Sequence, residues 1–250
     1  MLSSFGKNTI HLEQVSSTNT YLLEMLSKSE PIAEGSVILA DHQTSGRGQR
    51  GNIWEDSPNQ NLCFSLLLKP TWLDLQNQFQ LSMVIALAIE QYLSNLGIEQ
   101  VSIKWPNDIY VGKKKIAGIL IENLIQGHSI ENTVVGIGLN VNQEDFGIEQ
   151  GRRSSLALEC DRHFNIQDTL SVLMENIDYH YKQLKAGKIE AIEKRYMSKL
   201  MYINSYQNYS VAGENVYGKI VGVDASGALE LLVGAELRRF QTQEISFLYN

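Results

Sequence analysis

The stretch Asp41-His42-Gln43-Thr44-Ser45-Gly46-Arg47-Gly48-Gln49-Arg50-Gly51-Asn52-Ile53-Trp54 lies between two short apolar runs, Ser36–Ala40 and Leu62–Leu68. Both runs are continuous and bounded by turn residues, and both read as buried strands. Between them Gly46, Gly48 and Gly51 are interleaved with Arg47 and Arg50, and the first large apolar side chain is Ile53. Such a segment adds little to a core. Its backbone N–H groups and two fixed cations suit it to wrapping around an anion.

The rest of the chain bounds what that anion can be. The net charge is −7, which argues against a general polyanion binder. Phosphate chemistry would therefore depend on local positive charge, concentrated at Arg47, Arg50 and Lys113–Lys115. At 250 residues the chain can bury a full core, as one large domain or a large one with a small one. Cys63 and Cys160 are its 2 cysteines and form no Cys-x-x-Cys pattern. This implies a reducing compartment, with neither a disulfide framework nor a thiolate metal site. No apolar run reaches the roughly 18 residues of a membrane span. Met1–Asn8 has no apolar segment of signal-peptide type, so a soluble cytoplasmic protein is expected.

Outward from the loop, Thr9–Leu12 reads as an edge strand, and Ser16-Ser17-Thr18-Asn19 as the cap of a helix carrying Leu22, Met25 and Leu26. Phe79–Leu96 has a 3.6-residue period, amphipathic in the usual way, with Gly97 placed for a left-handed C-terminal cap. Val101–Trp105 and Ile109–Val111 flank the turn Pro106-Asn107-Asp108, and Gly112-Lys113-Lys114 is a hairpin tip leading into Ile116–Glu122. Asn132–Asn140 is a strand containing Gly136 and Gly138, and glycine within a strand often marks close approach by a ligand or another backbone. Gln143–Cys160 is a polar connector without a period, followed by helices over Ile166–Ala186 and Lys188–Lys199. From about Asn204 short strands and glycine turns indicate a small all-β unit. His42 and His128 read as ordinary surface or core residues, and Glu122 as the cap of a strand end.

The loop is neither a Walker A motif nor a Gly-x-Gly-x-x-Gly fingerprint. Combined with three segments farther along the chain, it becomes more specific. Gln43-Thr-Ser-Gly-Arg-Gly-Gln-Arg-Gly-x-x-Trp54, then Lys104-Trp-Pro-Asn-Asp108, then Lys115-Ile-Ala-Gly-Ile-Leu-Ile-Glu122, then Gly136-Ile-Gly-Leu-Asn140, closely resembles biotin protein ligases. The ordered match runs from about Ser17 to Asn140 and continues more loosely to the end of the chain.

The resemblance implies an α+β fold. A mixed β-sheet with flanking helices, the biotin/lipoate ligase-like catalytic domain, would occupy residues 1–203. A small SH3-like β-barrel domain would occupy residues 204–250. It implies a two-step reaction, in which biotin and ATP give biotinyl-5′-AMP and a lysine of the biotin carboxyl carrier domain of a carboxylase then takes the biotin. Lys115 and Arg47 match the residues that stabilise charge around the biotin carboxylate and adenylate phosphate. Ser17, Thr18, Asn19 and Gln43 match positions at the ureido head of biotin. Gly46, Gly48, Gln49 and Arg50 complete the loop around the ligand. Trp54 matches an aromatic that packs on adenine, and Asn140 an amide that reads it. Asn107 and Asp108 would support the adenylate site, and Gly118, Gly136 and Gly138 belong to the ligand-facing strands. Mg²⁺ would arrive with the ATP phosphates, since no protein motif for a metal is visible. For Trp105 a plain core role is at least as good a reading.

The chain departs from the family pattern at Gln49, where a second arginine is common. It also begins its Ser17-Thr18-Asn19 motif too early for an N-terminal helix-turn-helix, so no DNA partner is expected, and no membrane partner. Arg238 or Arg239 could replace an arginine that some relatives place near position 248. Loop mobility in the absence of ligand is expected. A lipoate or octanoyl transferase of the same fold, and a non-catalytic biotin- or nucleotide-binding module, are the rival readings. Monomer and homodimer are both compatible with the sequence.

Overall fold

The computed structural model describes residues 5–28, 31–127 and 129–248; His128 and the side chain of Arg50 lie outside the described residues. In chain order the elements begin with β1 (Thr9–Leu12), α1 (Thr18–Ser27), β2 (Val37–Ala40), β3 (Gly46–Arg47), β4 (Ile53–Trp54) and β5 (Asn61–Leu68). Then come α2 (Phe79–Asn95), β6 (Val101–Lys104), β7 (Asp108–Val111), β8 (Lys114–Gln126) and β9 (Ser129–Asn140). Three helices follow, α3 (Leu156–Cys160), α4 (Ile166–Lys185) and α5 (Ile189–Lys199). The chain ends in β10 (Tyr206–Val211), β11 (Glu214–Val223), β12 (Leu229–Val233), β13 (Glu236–Phe240) and β14 (Ile245–Phe247).

Among the described residues, seven strands form one sheet in the order β1-β2-β5-β9-β8-β7-β6. β1 and β2 run parallel and the other neighbours antiparallel, so the sheet is mixed. Strand alternation sorts its side chains between two faces. Leu62, Phe64, Leu66 and Leu68 of β5 join Val135, Ile137 and Leu139 of β9 in the main core, under α2, α4 and α5. Leu67, Val134 and Ile38 face the other way and are covered by Leu22 of α1. Farther along β5 and β9 this second face becomes Ser65, Cys63, Gly136 and Gly138. The change from large to small residues leaves room for a site beside α1.

Helix α2 ends one residue earlier than its period suggests, with Leu96 as cap and Gly97 at φ +83°. It is not amphipathic in the usual way. Packed between the sheet and the outer helices, it buries residues all round, including Glu90. That carboxylate is fully buried and is neutralised by Arg195 at 3.3 Å and Lys199 at 2.7 Å, both from α5. A buried charge without such partners would be expelled or protonated. The hairpin β8–β9 is longer than its apolar core indicates, because its tip carries Asn123, Gln126 and Ser129. Helix α3, in the connector that showed no period, is too short for one to appear. Its start is capped by Ser155 Oγ, which accepts from Leu158 N at 3.3 Å.

The last five strands form an antiparallel sheet in the order β13-β12-β11-β10-β14, the SH3-like unit. It shares the core of the larger sheet, since Tyr209, Ile220, Leu229 and Phe240 belong to the same buried cluster as Tyr196 and Leu200. Trp105 is also a core residue, 3% exposed, and its Nε1 donates to Gly227 O at 2.9 Å across the two units. No helix among the described residues is long and apolar enough to cross a membrane. Cys63 and Cys160 are both free thiols.

His180 of α4 is 3% exposed, and its Nε2 pairs with Gln91 Oε1 at 2.8 Å. Burial, and then the neighbouring Arg195, lower its pKa from 6.5 to about 4, against the opposing pull of Glu90. The fold favours the neutral ring, so this residue's stabilisation is complete above the unfolded value and is lost as pH falls towards 4. The pKa difference amounts to roughly 3 kcal/mol. Urea denaturation should therefore show a shallower loss of stability from pH 7 to pH 4 in His180→Gln than in the parent chain.

Candidate active site

The glycine- and arginine-rich segment folds as a small hairpin. β3 pairs with β4 through Gly46↔Trp54 and Arg47↔Ile53, and Gly48 N donates to Asn52 O at 2.7 Å. Its neck is closed by a buried carboxylate, Asp56 Oδ2, which accepts from Gln43 N at 3.0 Å. Burial raises the Asp56 pKa, opposed by its hydrogen bonds to Gln43 and Asn61. Thr44 N and Ser45 N donate to Val15 O and Ser16 O, which lays the loop over the start of α1. These bonds anchor the neck of the loop to the start of α1 and to Asp56.

Beneath it lies a cavity of about 330 Å³, floored by Gly118, Gly136 and Gly138. These glycines make room for side chains of the chain itself. A Cβ at Gly136 would run into the Asn19 amide, and one at Gly138 into the Trp54 indole. At Gly118 a Cβ would lie 3.1 Å from the same indole. The close approach suggested by the two strand glycines is therefore realised by Asn19 and Trp54. The Trp54 Nε1 is buried and finds no hydrogen-bond acceptor among the described residues.

Arg47 and Lys115, two of the cations at the cavity, each have a carboxylate of their own. Arg47 binds Glu122 through two bonds, NH2 to Oε1 at 2.8 Å and NH1 to Oε2 at 3.2 Å. Lys115 Nζ lies 2.6 Å from Asp108 Oδ1 and 5.6 Å from the centre of the Trp54 ring. Lys115 is half-buried, and its backbone is fixed on both sides, since its N–H donates to Arg152 O and its carbonyl accepts from Ser154 N, each at 2.9 Å. The turn that supplies Asp108 is tied to β8 by Asn107, whose Nδ2 donates to Ile119 O at 2.7 Å. Arg153 continues the pattern by pairing with Glu55 at 3.0 Å, which links the segment after β9 to the base of the loop.

All but three of the site residues expected from the sequence line this one cavity. Gly46 is buried within the loop hairpin, where a side chain would strike Trp54 O. The side chain of Arg50 is outside the described residues. Asn140 is 2% exposed and its Nδ2 donates to Ser154 O at 2.9 Å, so the structure gives that amide to the backbone and does not bring it to the cavity.

Other expectations are also corrected. Glu122 caps no strand end, because β8 runs on to Gln126, and its carboxylate is the counter-ion of Arg47. Arg238 stacks on Phe240 and Arg239 pairs with Glu230 and Asp224, so neither substitutes for an arginine at the cavity. Sequence reasoning missed Ser65, whose signal was a hydroxyl within an apolar run, and Asp56. It also missed Thr242, Ser246 and Phe247, which bring the SH3-like unit to the cavity. Lys104 lies over the Tyr110 and Phe247 rings at 5.3 and 5.4 Å, close to that contact.

With this geometry in place, the chain can be compared with known proteins. The sequence profile of the family described as Biotin/lipoate A/B protein ligase matches residues 11–140. The bifunctional ligase/repressor BirA of Bacillus subtilis is 28% identical over 243 residues, covering 96% of this chain and 74% of its own. The biotin–[acetyl-CoA-carboxylase] ligase of Paracoccus denitrificans is 28% identical over 242 residues, covering 94% of this chain and 99% of its own. The structure of the biotin protein ligase from Aquifex aeolicus in complex with biotin and ATP aligns with a TM-score of 0.80 at 28% identity. That alignment covers 98% of this chain and 100% of the other.

The glycine floor is open to direct test. Gly138→Ala should displace the Trp54 indole and cost about 1–3 kcal/mol in urea denaturation, as overpacking generally does. Tryptophan emission should shift at the same time. Unchanged stability and emission would show that the indole does not need the bare backbone.

Proposed function

The chain belongs to the biotin/lipoate A/B protein ligase family, and we propose on that footing that it ligates biotin to a lysine of the biotin carboxyl carrier domain of a carboxylase. The observation that carries this reading is one cavity in which Arg47 and Lys115 stand over a glycine floor beside Trp54. A lipoate or octanoyl transferase would not need the arginine loop with a tryptophan behind it. A non-catalytic binding module would not need Lys115 fixed at both its backbone N–H and its carbonyl.

In the first step the biotin carboxylate attacks the α-phosphorus of ATP, forming biotinyl-5′-AMP and releasing pyrophosphate. Two unit charges of like sign at 4 Å repel by about 4 kcal/mol at an effective dielectric near 20. Arg47 and Lys115 oppose that repulsion, and Lys115 stabilises the charge that develops as the anhydride forms. To do so each exchanges part of its contact with Glu122 or Asp108 for the ligand. In the second step the carrier lysine attacks the anhydride carbonyl, AMP leaves, and an amide bond forms. Ser17, Thr18, Asn19 and Gln43 receive the ureido head, and Trp54 packs against the adenine. The loop excludes water from the reactive anhydride.

Mg²⁺ has little protein to bind here. Among the described residues no group of three or more His, Cys, Asp and Glu could hold a metal ion, and Asp108 at the cavity is engaged by Lys115. A metal would be held by the nucleotide phosphates and water. We divide the chain into a catalytic unit of residues 1–203 and an SH3-like unit of residues 204–250 that contributes to the mouth of the cavity. The net charge of −7 supports protein and small-molecule partners over DNA, and the two free thiols support a cytoplasmic location.

Purified protein mixed with biotin, ATP, Mg²⁺ and an apo carrier domain should label the carrier with biotin. No transfer by a folded preparation would overturn the assignment. Lys115→Ala should abolish adenylate formation with little change in Tm, and normal adenylate formation in that variant would remove Lys115 from its role. Gln49 lines the cavity without charge where relatives often carry arginine. Gln49→Arg should reduce the release of free biotinyl-5′-AMP, measured by filtration and chromatography of the released nucleotide.

A further inference from the structure

The polar side chains at one end of the cavity form a closed circuit. Gln43 Oε1 accepts from Thr18 N at 2.9 Å. The Thr18 hydroxyl lies 3.1 Å from that oxygen and 2.8 Å from Ser65 Oγ. Ser65 Oγ in turn lies 2.5 Å from Asn19 Oδ1. Asn19 Nδ2 donates to Glu122 Oε2 at 2.8 Å, and Glu122 accepts both bonds from Arg47. Gln43 and Arg47 belong to the same loop, so the circuit begins and ends on it.

Glu122 Oε2 at 2.8 Å and Leu120 O at 3.4 Å both accept from Asn19 Nδ2, and neither can donate. Together they hold the Asn19 amide with Nδ2 towards β8 and Oδ1 towards Ser65. Oδ1 can only accept, so the single Ser65 proton must point to it. Gln43 Oε1, which accepts from both Thr18 N and the Thr18 hydroxyl, is fixed as an acceptor beside that hydroxyl at the cavity. Such an acceptor is complementary to an N–H of a cyclic urea.

We propose that Glu122 is a positioning residue for biotin recognition: its carboxylate orients the floor of the pocket through Asn19 and holds the lid through Arg47. This rests on the biotin-ligase reading and adds to it the group that ties Asn19 to the loop arginine. Neither Glu122 atom needs to touch biotin. The side chain is 24% exposed, so an isosteric amide at this position should not disturb the fold.

Glu122→Gln weakens the hold on the Asn19 amide and removes the charge that anchors Arg47. Biotin affinity, measured calorimetrically without ATP, should fall about tenfold, as loss of a charge-assisted hydrogen bond generally implies. kcat for adenylate formation at saturating biotin should change less than about threefold, placing the effect in binding. Adding Arg47→Ala to Glu122→Gln should cost less biotin affinity than Arg47→Ala costs alone, because the two residues act together. Wild-type affinity in Glu122→Gln, or full additivity in the double variant, would overturn the proposal. So would a matching loss of Tm and ATP affinity, which would mark a general structural role. Carrier labelling by the parent chain runs in parallel. Its absence overturns the ligase reading, whereas labelling combined with an indifferent Glu122→Gln overturns only this inference.

Discussion

The site depends on a constraint of the sheet: on one face, three central backbone positions must carry no side chain. Gly118, Gly136 and Gly138 let the Asn19 amide and the Trp54 indole lie directly on the strands, since a Cβ at Gly136 would meet Asn19 and one at Gly118 or Gly138 would meet Trp54. A residue with a β-carbon would lift α1 or the loop away from the sheet and remove the cavity between them. The opposite face of β9 carries Val135, Ile137 and Leu139 under the helices. One face of β9 therefore holds the fold together while the other accommodates the chemistry, and the two-residue period of a strand keeps the roles apart.

Electrostatics follows a second regularity. A chain with a net charge of −7 must gather cations locally to hold a carboxylate against a phosphate. It does so with cations already paired, Arg47 with Glu122 and Lys115 with Asp108, and behind them Arg153 with Glu55. Pairing fixes the long side chains before a ligand arrives, so less conformational freedom is lost on binding. It also sets a threshold, because an anion must compete with the resident carboxylate. A substrate bringing several negative oxygens at once is favoured over a single weak anion.

Much of this was legible in the residues. Long apolar periods located α2 and α4, and glycine placed their ends, since Gly97 and Gly187 both take positive φ. The loop and the Lys115 strand were visible because cations and glycines interrupt apolar runs. Contacts between distant segments were not. Glu122 looks like an acid at the end of a strand until β8 is seen to continue, and its partner Arg47 is 75 residues away. Asn140 shares a face of β9 with Gly136 and Gly138, yet Ser154 turns its amide away from the cavity. Helix α3 leaves no periodic trace because five residues are fewer than two turns.

The bond from Trp105 to Gly227 joins the turn bearing Asn107 and Asp108 to the SH3-like unit, and the buried apolar cluster runs unbroken through both. Gly227 also lies against Phe79 at the start of α2, where a Cβ would run into the ring. The terminal strands are therefore built into the packing that holds this turn and the start of α2 in place. Grafting them onto another ligase would require the indole, the bare carbonyl-bearing glycine and the phenyl ring to be inherited together.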